Sequence, residues 1–393
     1  MSNDPISVTT RTSWISRLGS AFGGVLTGLA LILASIALLA WNEGRSVQSI
    51  RANKEGAGAV QAVSPDRILS SNEGRLIHVS APAVASDQRR DAALGVSADG
   101  LILTRKIEYY QWIETGKSET RTRLGGGEET VTTYSYDRQW TATPADSSRF
   151  QQPAGHQNPA PVIKNADFRA ERARLGAFTL DGAVLDQVVA DRPLPLTPEQ
   201  AVTAASALSR PTRVVEGAFY VGADPAAPEA GDMRVTYLVA PQNSILSVVG
   251  AQTADTLQPY PTRAGAPILM VRAGTASADQ MFAQAKAANQ TMSWVLRGLG
   301  LVVMIAAFGM VLAPLGVLAD VVPLFGSIIR TGTGLVAAAA GLIVSLVVIA
   351  LAWFVYRPLI AITVIAVAAA CGGVVLWRGR RKAGQVRTAS LVR

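Results

Sequence analysis

Residues 19–41 contain no charged side chain and read almost entirely as Leu, Ala, Gly, Ile and Val. A helix rises about 1.5 Å per residue, so such a run covers the ~30 Å hydrocarbon core of a bilayer. Three further apolar runs of spanning length lie at 298–319, 333–356 and 359–377. This pattern constrains the chain more than any motif does, because a segment that apolar is stable only inside lipid or a large core. The first run is longer than the apolar part of a signal peptide. Leu38 also stands where a cleavage site ending at Ala40 needs a small residue. It reads as an uncleaved signal anchor.

Charge sets the expected orientation. Lys and Arg exceed Asp and Glu by 36 to 28, yet residues 42–293 hold 25 basic against 26 acidic side chains. The excess therefore sits beside the apolar runs, at Arg11, Arg17, Arg297, Arg330, Arg357 and in the tail 378–393. That is the placement of a membrane protein with cytoplasmic termini, and it makes nucleic acid an unneeded partner. The expected layout is a cytoplasmic segment 1–18, a span 19–41 and an extracytoplasmic domain 42–276. An amphipathic juxtamembrane helix 277–297 then leads into a span 298–319, a cytoplasmic loop 320–332, spans 333–356 and 359–377, and a cytoplasmic tail 378–393. Arg357-Pro358 should turn the last two spans into a tight hairpin, and Pro314 should kink the second span. Trp41, Trp294, Trp353, Tyr356 and Trp377 fall at span ends, as interfacial aromatics do.

The middle of the chain reads as β-rich, giving an α+β fold class with four membrane helices. Gly100 to Glu114 and Thr130 to Trp140 are rich in β-branched and aromatic residues, and Gly125-Gly126-Gly127 suits the tip of a hairpin between them. A turn centred near Leu124 puts Trp112 opposite Tyr136. Further strands are expected within 176–189, 213–221, 232–239, 244–249 and 268–271. A helix is expected over 198–208, and Ser64-Pro65-Asp66 suits the start of a short one. Ser277 and Gln280 form a capping-box pattern ahead of Met281, Ala285, Ala288, Met292 and Val295 at helical spacing.

Reactive constellations do not emerge. One cysteine, Cys371, falls inside the fourth apolar run, and two histidines, His78 and His156, lack a neighbouring nucleophile or carboxylate pattern. Gly116-Lys117-Ser118 has Gln111 where a phosphate loop needs glycine, and Gly56-Ala57-Gly58 lacks the third glycine of a dinucleotide fingerprint. Glu108 and Glu114 flank the aromatic strand, where pairing with a basic neighbour is expected ahead of a role as a catalytic acid. The expectation is no enzyme and no cofactor. Candidate interaction residues are Tyr110, Trp112, Tyr134 and Tyr136 on the hairpin, with Gly23 and Gly28 in the first span, where the four-residue spacings Gly19–Gly23 and Gly24–Gly28 permit close helix approach.

Asn-Glu-Gly-Arg occurs twice, at 42–45 and 72–75. Together with Tyr110-Gln111-Trp112-Ile113-Glu114-Thr115, Tyr134-Ser135-Tyr136, Gly155-His156-Gln157-Asn158-Pro159, Gly231-Asp232-Met233-Arg234-Val235 and Tyr356-Arg357-Pro358-Leu359, these segments resemble the LUMA (transmembrane protein forty-three) family, in order and spacing from about Gly19 to Trp377. The resemblance implies one span, a large luminal domain and three later spans. It also implies self-association, a place in the endoplasmic reticulum and inner nuclear membrane beside emerin and lamins, and no established catalytic residues. The Ala- and Arg-rich composition points to a bacterial inner membrane, where lamins are absent and only the membrane-organising character transfers. The leading expectation is a non-enzymatic multipass scaffold that contacts the lipid bilayer, its own copies and other membrane proteins. The alternative is a membrane-tethered lipid-binding protein or enzyme, with the aromatic face and the 277–295 helix as a lipid-binding lip.

Overall fold

A computed structural model describes residues 5–356 and residue 358. The expected fourth span 359–377, the Arg357-Pro358 hairpin as a whole, Cys371 and the basic tail lie outside the described residues. The helices in chain order are α1 (Trp14–Ala59), α2 (Gly182–Leu185), α3 (Pro198–Leu208), α4 (Ala278–Ala319) and α5 (Pro323–Tyr356). The chain divides into two compact units. One takes residues 12–51, 122–128 and 287 onward, and the other takes residues 5–11, 52–121 and 129–286.

In the helical unit, α1, α4 and α5 are each long and apolar enough to cross a membrane. They outrun the apolar stretches that mark them. α1 continues through the polar residues 42–59, which contain no proline to stop it. α4 joins the expected juxtamembrane helix and second span into one element and runs through Pro314. Its start is as expected: the Gln280 amide donates to Ser277 Oγ at 3.2 Å and the Ser277 amide donates to Gln280 Oε1 at 3.1 Å. α5 opens on Pro323, a residue suited to a helix's first turn. The loop expected over 320–332 therefore shrinks to 320–322.

The other unit is built on two main sheets. The larger pairs its strands in the order Ile6–Thr12, Glu128–Thr141, Gly100–Thr122, Met233–Pro241, Ala218–Val221, Thr212–Val215. In the smaller, Leu76–Ala85, Ser244–Thr253, Thr256–Gln258, Phe178–Leu180 and Ala173–Leu175 pair in a ring, so the sheet closes as a five-stranded barrel. Ile77, Val79, Leu175, Phe178, Leu180, Leu246, Val248 and Leu257 fill its core. Closure leaves those strands without open edges. A second core, with Leu103, Ile107, Phe219, Val235 and Tyr237, lies on the larger sheet.

Several local expectations change. The region 176–189 holds only the strand Phe178–Leu180, then α2 capped by Asp181, whose carboxylate accepts from the Ala183 amide. The region 213–221 is two strands, because Glu216 and Gly217 both take positive φ and turn the chain back. Ser64-Pro65-Asp66 is a turn closed by a 2.8 Å bond from Ser64 Oγ to Asp66, with no helix. α3 spans the residues expected, with Thr197 and Gln200 forming its capping box.

The N-terminal segment joins the larger sheet: Ile6–Thr12 adds a strand to Glu128–Thr141, with Ser7 and Thr133 hydroxyls 3.1 Å apart. Within the helical unit the hairpin tip meets α1 and the α4–α5 link: the Gly125 amide donates to the Val321 carbonyl at 3.2 Å, and Arg17 pairs with Glu128 at 2.7 Å.

Candidate interaction face and helix-end clusters

The hairpin places its aromatic residues by strand alternation. Hydroxyls of Ser118 and Thr132 lie 2.9 Å apart and those of Thr120 and Thr130 lie 3.0 Å apart, which sets the cross-strand register. Continuing it pairs Trp112 with Arg138 and Glu114 with Tyr136. The expected pairing of Trp112 with Tyr136 is thus displaced by one pair, because the turn centres on Gly125 rather than Leu124. Gly125 and Gly126 have φ of 86° and 81°, the left-handed conformation that glycine takes without strain. The face itself is as expected: Tyr110, Trp112, Tyr134 and Tyr136 all project to one side.

On that side Tyr110 and Trp140 lie 5.2 Å apart and Trp140 meets Tyr220 edge-on at 6.2 Å. Arg138 sits 5.1 Å over Trp112 and 5.9 Å over Tyr110, and Arg234 sits 4.1 Å over Trp140. Tyr134 covers Gly116, where an added Cβ would stand 3.1 Å from its ring. Tyr136 is buried, and its hydroxyl donates to Glu114 at 2.7 Å. Burial, reinforced by that carboxylate, raises the Tyr136 pKa. Glu114 also accepts from the Gln151 amide at 2.5 Å. Its carboxylate holds the loop that follows the hairpin.

The loop motif Gly155-His156-Gln157-Asn158-Pro159 now has a physical meaning. Asn158 accepts from the Trp112 amide at 2.7 Å and donates to the Trp112 carbonyl at 2.9 Å, imitating a neighbouring strand. His156 stacks on Tyr136 at 3.9 Å and meets Trp112 edge-on at 4.8 Å. Asp232 of the Gly231-Asp232-Met233-Arg234-Val235 motif accepts from Tyr220 at 2.6 Å and from Arg210 at 3.1 Å. It anchors the strand that presents Arg234. His78 is bonded to the Ala276 carbonyl at 2.8 Å, a structural contact. The arginines and His156 were not among the candidates. Arg138 and Trp140 continue the two-residue spacing of Tyr134 and Tyr136, and that spacing would have found them.

Each end of the helical unit carries a buried ion cluster. At one end the first Asn-Glu-Gly-Arg copy is helical. The Glu43 side chain is 0% exposed and takes both Arg297 nitrogens, at 2.6 and 2.9 Å, with the Trp353 indole N–H at 2.9 Å. Glu43 therefore ties α1 to α4 and α5. Gly44 lets Tyr356 approach, since a Cβ there would stand 2.9 Å from its ring. Asn42 donates to the Ser293 carbonyl and Asn289 to Ser46, at 3.2 and 3.3 Å. The second copy is a turn: Gly74 has φ of 70° and Glu73 accepts from the Ala254 amide.

At the other end Asp320, 1% exposed, accepts from Arg17 at 2.6 Å and pairs with Arg330. The Trp14 indole donates to the Val317 carbonyl at 2.8 Å. A cavity of about 310 Å³ opens beside the pair, lined by Arg17, Gly309, Gly316, Asp320, Arg330 and Gly334, among others. Of the glycine candidates, Gly28 packs against α4, where a Cβ would stand 2.7 Å from the Ala307 carbonyl, while Gly23 has nothing within 4 Å. The close approach serves packing inside one chain. No group of three or more His, Cys, Asp or Glu side chains arranged to hold a metal occurs among the described residues.

The long apolar helices and the β-rich unit define an integral membrane protein of mixed α and β structure. The chain belongs to the transmembrane protein 43 family, whose profile matches residues 109–358. It is 30% identical over 362 residues to transmembrane protein 43 of Rattus norvegicus, covering 88% of each chain. Against the Homo sapiens protein it is 29% identical over 375 residues, covering 91% of each. The Drosophila melanogaster homolog is 26% identical over 349 residues, covering 85% of this chain and 89% of its own. No solved structure matches the chain.

Proposed function

We propose that the protein is a non-enzymatic membrane scaffold whose hairpin face binds protein, either a second copy of the chain or another membrane protein. The run 359–377 serves as a fourth span in this reading, returning the basic tail to the side of Arg17. The observation that carries it is the composition of the face. Tyr110, Trp112 and Trp140 stand on a rigid hairpin with Arg138 and Arg234 laid over their rings, and Trp, Tyr and Arg are the residues that dominate binding energy at protein interfaces. The arginines stand at the outer surface of this stack, with Arg138 exposed, so the face is open to a partner.

The test is photo-crosslinking in intact cells from Tyr134, a partly exposed residue on the same side of the hairpin as Arg138, followed by sizing of the detergent-solubilised complex. We expect a crosslinked protein and a particle larger than the 41.2 kDa chain. Arg138→Glu combined with Arg234→Glu should reduce crosslinking about tenfold or more, as loss of a hot spot does. A monomer at every concentration, with no protein crosslinked, overturns the reading.

A further inference from the structure

We propose that the cavity beside Asp320 and Arg330 binds one phospholipid whose head group carries a primary amine, a phosphatidylethanolamine. The cavity lies at head-group level, since Arg17 stands two residues before the first apolar run and Asp320 directly after the second. Asp320 is 1% exposed, yet its Oδ1 has no hydrogen-bond partner. A buried carboxylate oxygen left without a donor is costly, and a donor supplied by a ligand removes that cost. Oδ2 is taken by Arg17 and Arg330, so Oδ1, seated against Gly326, is the acceptor left without a donor.

Arg330 supplies the complementary half. Its side chain is 51% exposed, and its second nitrogen stands 3.7 Å from Glu128, beyond hydrogen-bond range. A guanidinium has five N–H donors, so several remain for a phosphate at the cavity mouth. Arg17 and Arg330 balance Asp320 and Glu128, so the cluster is neutral, and a zwitterionic head group leaves it neutral. An anionic lipid such as phosphatidylglycerol offers only neutral hydroxyl donors to Oδ1 and adds a net negative charge to a neutral cluster. Phosphatidylcholine has a charged nitrogen with no N–H. Only a zwitterionic head group with a primary amine supplies a charged donor and a phosphate without changing the net charge.

The walls admit an acyl chain. Gly309, Ala313 and Gly316 lie along one face of α4, with Thr333 and Gly334 on α5. A Cβ at Gly309 or Gly334 would meet nothing within 4 Å, so the space beside them is open. A second cavity of about 350 Å³ shares Asp320 and Arg330 and gives the head group room.

The full chain, purified in detergent, is exchanged into an equimolar mixture of phosphatidylethanolamine, phosphatidylcholine and phosphatidylglycerol with matched acyl chains. Retained lipid is then read by native mass spectrometry. We expect phosphatidylethanolamine to exceed each of the others about tenfold, the size of one hydrogen bond to a charged group. Gly309→Leu and, separately, Gly334→Leu should fill the cavity and abolish that preference, with thermal midpoints unchanged to show that each variant folds. Equal retention of phosphatidylcholine or phosphatidylglycerol by the unaltered chain overturns the proposal. So does an undiminished preference in either folded glycine variant.

Discussion

The two ends of the helical unit solve the same problem differently. Both bury a carboxylate among arginines, and about 25 helical residues, or roughly 38 Å, separate Arg17 from Glu43 along α1. At the Glu43 end every carboxylate oxygen is used: Arg297 holds both, and Trp353 adds a third donor. At the Asp320 end one oxygen is left over and a cavity adjoins it. A saturated buried pair acts as a clamp between helices. An unsaturated one leaves an acceptor for the lipid amine proposed above. Tryptophans mark both ends, yet Trp353 and Trp14 spend their N–H groups on protein, while Trp41 and Trp294, 57% and 69% exposed, remain for the interface.

The comparison breaks most visibly at Glu43. Arg297→Met leaves a fully buried carboxylate without its partner, so we expect a loss of about 3–5 kcal/mol, seen as a large fall in the thermal midpoint in detergent. Adding Glu43→Met should recover much of it, because two apolar side chains replace a charge pair at little net cost. If the double variant is no better than the single one, the pair is not a self-contained clamp.

A middle-sized effect separates the glycines between the ends. Gly28→Leu must push α1 away from Ala307 and should cost about 1–3 kcal/mol, while Gly23→Leu should be neutral or slightly stabilising. Equal melting of the two variants would remove the distinction between a packing glycine and an open one.

Legibility in the sequence followed the range of each interaction. The first three apolar runs, the Ser277–Gln280 cap, α3 and the hairpin with its glycine tip are local patterns, and each stands where periodicity and turn chemistry put it. The hairpin register slipped by one pair because three successive glycines allow more than one turn centre. The barrel strand Leu76–Ala85 was missed altogether. It is Ala-rich and contains Pro82, so it reads as a loop, and only its pairing with Ser244–Thr253 makes it a strand. Nothing local marks the role of Asn42 to Arg45, because that role depends on Arg297 and Trp353, more than 250 residues away. The interaction face was half visible. Tyrosine and tryptophan announce themselves on a strand, whereas Arg138 and Arg234 gain meaning only once the rings beneath them are placed.

The smallest effect sharpens the comparison at the open end through pH. Asp320 lies in the short α4–α5 link, where burial opposes its ionisation. The Arg330 and Arg17 guanidiniums more than offset this, so its pKa is lowered from the ordinary carboxylate value. A carboxylate whose pKa is lower in the folded chain than in the unfolded one adds stability above its unfolded value, roughly pH 4. That contribution fades as the pH falls through the folded value. The chain should therefore lose thermal stability on acidification below about pH 4, and part of that loss should belong to Asp320. In Asp320→Asn the neutral-pH midpoint should fall and the acid limb should flatten, so that the two chains converge at low pH. Parallel midpoint curves for the two, at every pH, would mean that the Asp320 cluster contributes no charge-dependent stability and that its arginines are held by something else.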